Sequence, residues 1–108
     1  MTRVSLTALA RDLLALARKA DTGRSATTVH GGYDRSLRQT VMALRQGEHI
    51  HEHEHPGEVT VHVLYGRVRL VAGRDSWDGR PGDLLAMPER RHRVEAVQDC
   101  AFLFTTAR

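Results

Sequence analysis

Gly47-Glu48-His49-Ile50-His51-Glu52-His53-Glu54-His55-Pro56-Gly57 sets four histidines at every second position. If the stretch is extended, side chains alternate with period two. His49, His51, His53 and His55 then share one face, and Glu52 and Glu54 take the other. Imidazole is a borderline donor suited to Zn, Fe, Ni or Cu, and neighbours on one strand face can share an ion. An alternating His/Glu tract is also an ordinary solvated strand that binds metal adventitiously, so the residues around it must decide.

Beyond the Pro56-Gly57 turn, Val59, Val61 and Val63 fall on one face of the next run and Glu58, Thr60 and His62 on the other. A half-buried strand gives this pattern, and a barrel core takes the valines. The chain from Gly23 onward repeats the theme. Short β-type runs cover Ala26–Val29, Leu37–Leu44, Glu48–His55, Val59–Leu64, Arg67–Val71, Ser76–Asp78, Asp83–Met87, His92–Val97 and Ala101–Thr105. Glycine and proline signals separate them, from Gly31-Gly32 through Gly66, Gly73 and Pro81-Gly82 to Pro88. Many short strands without a second helical pattern predict a sandwich or barrel.

Residues 5–20 differ. Leu6, Leu9, Leu13, Leu16 and Ala20 recur at steps of three and four, with Ala10, Leu14 and Ala17 widening the stripe. Ser5 or Thr7 can cap the start, Arg18 and Lys19 suit the negative end of the dipole, and Gly23 lies past it. The helix is expected to pack against a barrel or across a dimer.

A length of 108 residues suits one domain. The expected division is a helix and linker at 1–24 followed by a barrel domain at 25–108. With 41% hydrophobic and 27% charged residues the chain is of the ordered globular type. A core this small makes self-association a natural supplement. The net charge is +3, Lys19 is the sole lysine, and the arginines are scattered along the chain. Nucleic-acid binding calls for clustered cations and stacking aromatics, so no such partner is expected. Cys100 is the lone cysteine and sits in an apolar run, which predicts a buried hydrophobe rather than a disulfide or a reactive thiol. No apolar stretch is long enough to span a bilayer and no signal-peptide pattern opens the chain, so no membrane partner and a cytoplasmic location are expected.

Taken in order, Gly47, five residues, His53-x-His55, Pro56-Gly57 and a β-run closing in Val63-Leu64-Tyr65-Gly66 resemble the first conserved motif of the cupin family. Pro81-Gly82-Asp83-Leu84-Leu85-Ala86-Met87-Pro88, with His92 beyond, resembles the second. The resemblance runs over about residues 36–106 and is to the small single-domain bacterial cupins that carry an N-terminal helix. It implies an all-β double-stranded β-helix, the cupin jelly-roll barrel, with one N-terminal α-helix. It also implies a homodimer, a small-molecule ligand or substrate, and a divalent transition metal (Fe, Mn, Ni or Zn) held inside the barrel by His53, His55 and His92. A register two residues earlier, using His51 and His53, keeps the same parity and is the alternative. His49 is expected at the solvent rim, His62 on the outer surface or an interface, and His30 in a turn.

Two features depart from the family pattern. Val59 stands where the first motif supplies a glutamate, and the adjacent Glu58 is one step out of phase, on the opposite sheet face. The interval from Pro88 to His92 is one residue short, with Arg90 near the expected glycine. A three-histidine site without a carboxylate leaves a divalent ion its full charge, which favours anionic or chelating ligands and is compatible with the three-histidine iron centres of some cupin dioxygenases. Two functions follow as expectations. One is a metal-dependent enzyme of dioxygenase or isomerase type, with Tyr65, Arg90 and Arg91 as candidate substrate contacts, Glu48 and Glu95 as available carboxylates, and no assigned general base. The other is a non-catalytic module that senses a metal or ligand.

Overall fold

The computed structural model describes residues 2–53, 57–88 and 90–107, the side chains of residues 51–53 excepted. Among the described residues one helix, α1 (Leu6–Lys19), precedes nine strands: β1 (Arg24–His30), β2 (Leu37–Leu44), β3 (His49–His53), β4 (Glu58–Tyr65), β5 (Val68–Ala72), β6 (Asp75–Gly79), β7 (Leu84–Ala86), β8 (His92–Ala96) and β9 (Cys100–Ala107). They form a five-stranded sheet, β1-β2-β9-β4-β7, and a four-stranded sheet, β3-β8-β5-β6. Every pairing is antiparallel. The fold is all-β with one N-terminal helix, as the punctuation of short alternating runs implies.

Alternation sorts each strand into two packing environments. Val59, Val61 and Val63 of β4 join Leu44, Val68, Leu70, Val94, Phe102 and Phe104 in the core between the sheets. Residues of opposite parity, Val41 and Ala43 on β2 and Ala101 and Leu103 on β9, form a second cluster on the outer face of the five-stranded sheet. The helix covers that cluster with Ala10, Leu13, Leu14 and Ala17, an i, i+3, i+4, i+7 stripe. The stripe is rotated from the one expected: Leu16 is 59% exposed.

The helix ends are satisfied as their residues suggest. The Ser5 hydroxyl accepts from the Ala8 N–H at 3.2 Å, and the Ala20 N–H reaches the Leu16 carbonyl at 3.0 Å. Asp99 pins the helix to the barrel, accepting from Arg18 Nε at 2.8 Å and from the Gln46 N–H at 2.8 Å. Those donors hold its carboxyl below the usual range, the Arg18 hydrogen bond contributing most. Gly66 closes the β4–β5 turn at φ 74°, where a methyl group would overlap the Asp99 carbonyl.

Candidate ligand and metal site

The histidine strand is not regular. In the β3–β8 ladder His49 pairs with Glu95 and Ile50 with Val94, but the next pairing is His53 with His92. Three steps on β3 thus match two on β8, the signature of a β-bulge. Cross-strand partners share a sheet face. His49 therefore occupies the register of outward-facing Glu95 and is exposed, whereas the backbone of His53 pairs with His92, which is buried. The regular alternation expected along this strand is interrupted, because the register shifts by one residue between Ile50 and His53. His55 lies outside the described residues, and His51 and His53 are described by their backbone.

His92 is built as a donor. It is 4% exposed, although it opens a strand at the end of the shortened Pro88 interval. Met87 N–H donates to the Val59 carbonyl at 2.9 Å, which extends the β7 pairing past Ala86 and directs the chain toward β8. Arg90 then forms an ion pair with Asp75, tying this connection to the start of β6. The Arg90 carbonyl lies 2.8 Å from His92 Nδ1. A carbonyl only accepts, so Nδ1 carries the proton, and in the neutral ring Nε2 keeps its lone pair. Nε2 is buried. A backbone carbonyl that fixes ring and tautomer in this way is the usual support of a metal-ligating histidine.

A cavity of about 710 Å³ opens beside the inner face of the five-stranded sheet, bordered also by Ile50 and Gly57. Met42 and Phe104 line it with apolar surface, Thr28, Thr40 and Thr106 add hydroxyls, and Arg35, Arg38 and Glu58 stand around it. This volume is within the range of small-molecule sites. Among the described residues the buried polar or charged side chains are Thr40 and His92.

The chemistry of the one described donor suits a metal ion: a buried imidazole with a fixed tautomer, in cross-strand register with a second histidine. Among the described residues no group of three or more His, Cys, Asp or Glu side chains converges. Glu58 is exposed at the start of β4, in register with Ala107, while Val59 enters the core. Glu48 pairs with Arg45 at 3.6 Å and Glu95 with Arg93 at 3.3 Å, so both carboxylates are engaged outside the cavity. Tyr65 ends β4, about 23 Å along the strand from Glu58, and contacts Arg18 beside the helix. It is not a cavity residue, and Arg90 acts through its carbonyl and its ion pair. His62 is half-buried on the outer face opposite Leu103, and His30 ends β1 exposed. Burial pushes the Cys100 thiol up to about 12, as expected of an inert core residue. No helix is long and apolar enough to cross a membrane among the described residues.

Two antiparallel sheets around a shared core, with a cavity bordered by the strand that carries His49 and His53, define a small two-sheet β-barrel. A cupin-domain family model matches residues 40–106, and the chain belongs to the cupin family. No curated protein matches it. Among solved structures, a conserved protein of unknown function from Streptococcus pyogenes is similar at 22% identity and a TM-score of 0.74, over 82% of this chain and 77% of its own. A cupin superfamily protein from Desulfitobacterium hafniense is similar at 20% identity and a TM-score of 0.74, over 88% and 86%. The cupin domain of an XRE family transcriptional regulator from Enterobacter cloacae gives 11% identity and a TM-score of 0.66, over 79% and 96%. At these identities the likeness concerns the fold. Arg38 and Thr28 escape sequence reasoning, because only the β1–β2 register brings them to one cavity.

Proposed function

We propose that this protein is a small-molecule-binding cupin whose barrel holds a divalent transition metal on His53, His55 and His92, with His51 and His53 as the alternative first-motif pair. The observation that carries this reading is the His53–His92 pairing across the bulge, joined to the Nδ1 lock on His92. Bound there, the ion would supply Lewis acidity or redox chemistry to a small molecule in the cavity. The chain itself orients the His92 lone pair, excludes water with Phe104, Met42 and Ile50, and leaves the cavity open for a ligand. Elemental analysis of tag-free protein tests the proposal. Near-stoichiometric transition metal supports it. Protein that is isolated metal-free and takes up none of Fe, Mn, Ni or Zn overturns it.

A second reading, ligand sensing without turnover, draws on one observation. The described interior offers Thr40 and His92 but no carboxylate to act as a general base. The Enterobacter cloacae domain, part of a transcriptional regulator, is an instance of a cupin domain outside an enzyme. Oxygen uptake by iron-loaded protein with thiol, diketone and catechol substrates distinguishes a dioxygenase from a sensor.

A further inference from the structure

The polar side of the cavity carries two cations, Arg35 and Arg38, of which Arg38 is hydrogen-bonded to the wall. Arg38 pairs with Thr106 in the β2–β9 ladder, and Thr28 pairs with Thr40 in the β1–β2 ladder, so all four belong to the cavity wall. Arg38 Nη2 donates to Thr28 Oγ1 at 3.5 Å, and that hydroxyl shares a 3.2 Å hydrogen bond with Thr40 Oγ1. One edge of the guanidinium is thereby tethered. Arginine carries five donors in a planar fork, so most of the fork remains for another acceptor. Arg38 makes no ion pair with a carboxylate among the described residues. Arg35, its neighbour on the rim, lies 3.9 Å from Asp34. Together the two arginines outweigh Glu58, and the lining carries a net positive charge. The apolar lining comes from Met42 and Phe104, on the same sheet as Arg38, and from Ile50 on β3 of the other sheet.

We propose that the cavity takes a small carboxylate with an apolar body, and that Arg38 holds the carboxylate while Phe104, Met42 and Ile50 cover the body. The inference rests on the reading of the barrel cavity as the ligand site, and it does not require that a metal be present. A planar fork tethered at one edge matches the two oxygens of a carboxylate, and charge-assisted pairs of this kind are the stronger hydrogen bonds. A cavity of about 710 Å³ is larger than an inorganic anion needs, and its apolar wall has nothing to offer one.

The test titrates tag-free protein with phenylacetate, hexanoate, phenylacetamide and inorganic phosphate, followed by amide NMR. Metal content is measured on the same samples. Saturable binding of at least one acid is expected, with shifts at Thr28, Met42 and Phe104. Phenylacetamide should bind roughly tenfold more weakly than phenylacetate, and Arg38→Gln should weaken acid binding by a similar factor, partly restored in Arg38→Lys. Arg24→Gln, on β1 but outside the cavity lining, should leave binding unchanged. Arg38-dependent binding to protein that is isolated metal-free and takes up none of Fe, Mn, Ni or Zn would sustain this inference while contradicting the metal reading. It is overturned if neither acid binds at millimolar concentration, if the amide or phosphate binds as well as the acids, or if the loss follows Arg35→Gln or Arg24→Gln instead of Arg38→Gln.

Discussion

His53 and His92 are cross-strand partners, although two residues from different motifs, almost forty positions apart, must meet across a ladder that is one residue out of step at His49. The bulge between Ile50 and His53 is what brings the later histidine into the His92 register. A single strand thus carries an exposed His49 and, three residues past Ile50, a His53 in register with the buried His92.

The ring of His92 should exist as the Nδ1–H tautomer in the neutral protein, because its partner, the Arg90 carbonyl, can only accept. Long-range nitrogen–proton correlation NMR on metal-free protein should show a protonated Nδ1 and an unprotonated Nε2. The Nε2–H tautomer would mean that the carbonyl does not orient this ring for metal binding.

Gly66→Ala should destabilise the fold by at least about 2 kcal/mol, since it adds left-handed backbone strain to a clash with the Asp99 carbonyl. Urea unfolding measures the difference. A change within the few tenths usual for an exposed turn would show that the turn can relax.

Asp99 links the stability of the helix–barrel contact to pH. Its carboxyl is held below the usual range by Arg18 first and the Gln46 N–H second. In the unfolded chain it returns to an ordinary value, about 4. The stabilisation is therefore fully present above about pH 4 and is lost as pH falls through the lower folded value. Asp99→Asn should lower stability near neutrality and flatten its acid limb. Parallel wild-type and variant curves between neutrality and pH 3 would contradict this.

The parts of the fold that were legible in the sequence are those set by local periodicity. Val59, Val61 and Val63 alternate because one face of β4 is buried, and Ala10, Leu13, Leu14 and Ala17 recur at helical steps because one face of α1 is buried. Glycines marked the turns because several adopt positive φ. The bulge was not legible: the histidines alternate without a fault, and only pairing with β8 reveals the extra residue. The Arg38–Thr28–Thr40 chain was hidden for the same reason, since its members lie on two strands and meet through register. Sequence motifs pointed to His92, but its tautomer depends on the Arg90 carbonyl, which no side-chain pattern records.

The most direct measurement is the metal content of tag-free wild-type, His53→Ala, His92→Ala and His49→Ala proteins by elemental analysis, with folding confirmed for each. The expected result is near-stoichiometric metal in wild type and His49→Ala, with loss in His53→Ala and His92→Ala. Equal loss in His49→Ala, or full retention in His92→Ala, would contradict a site inside the barrel and assign the affinity to a surface tract.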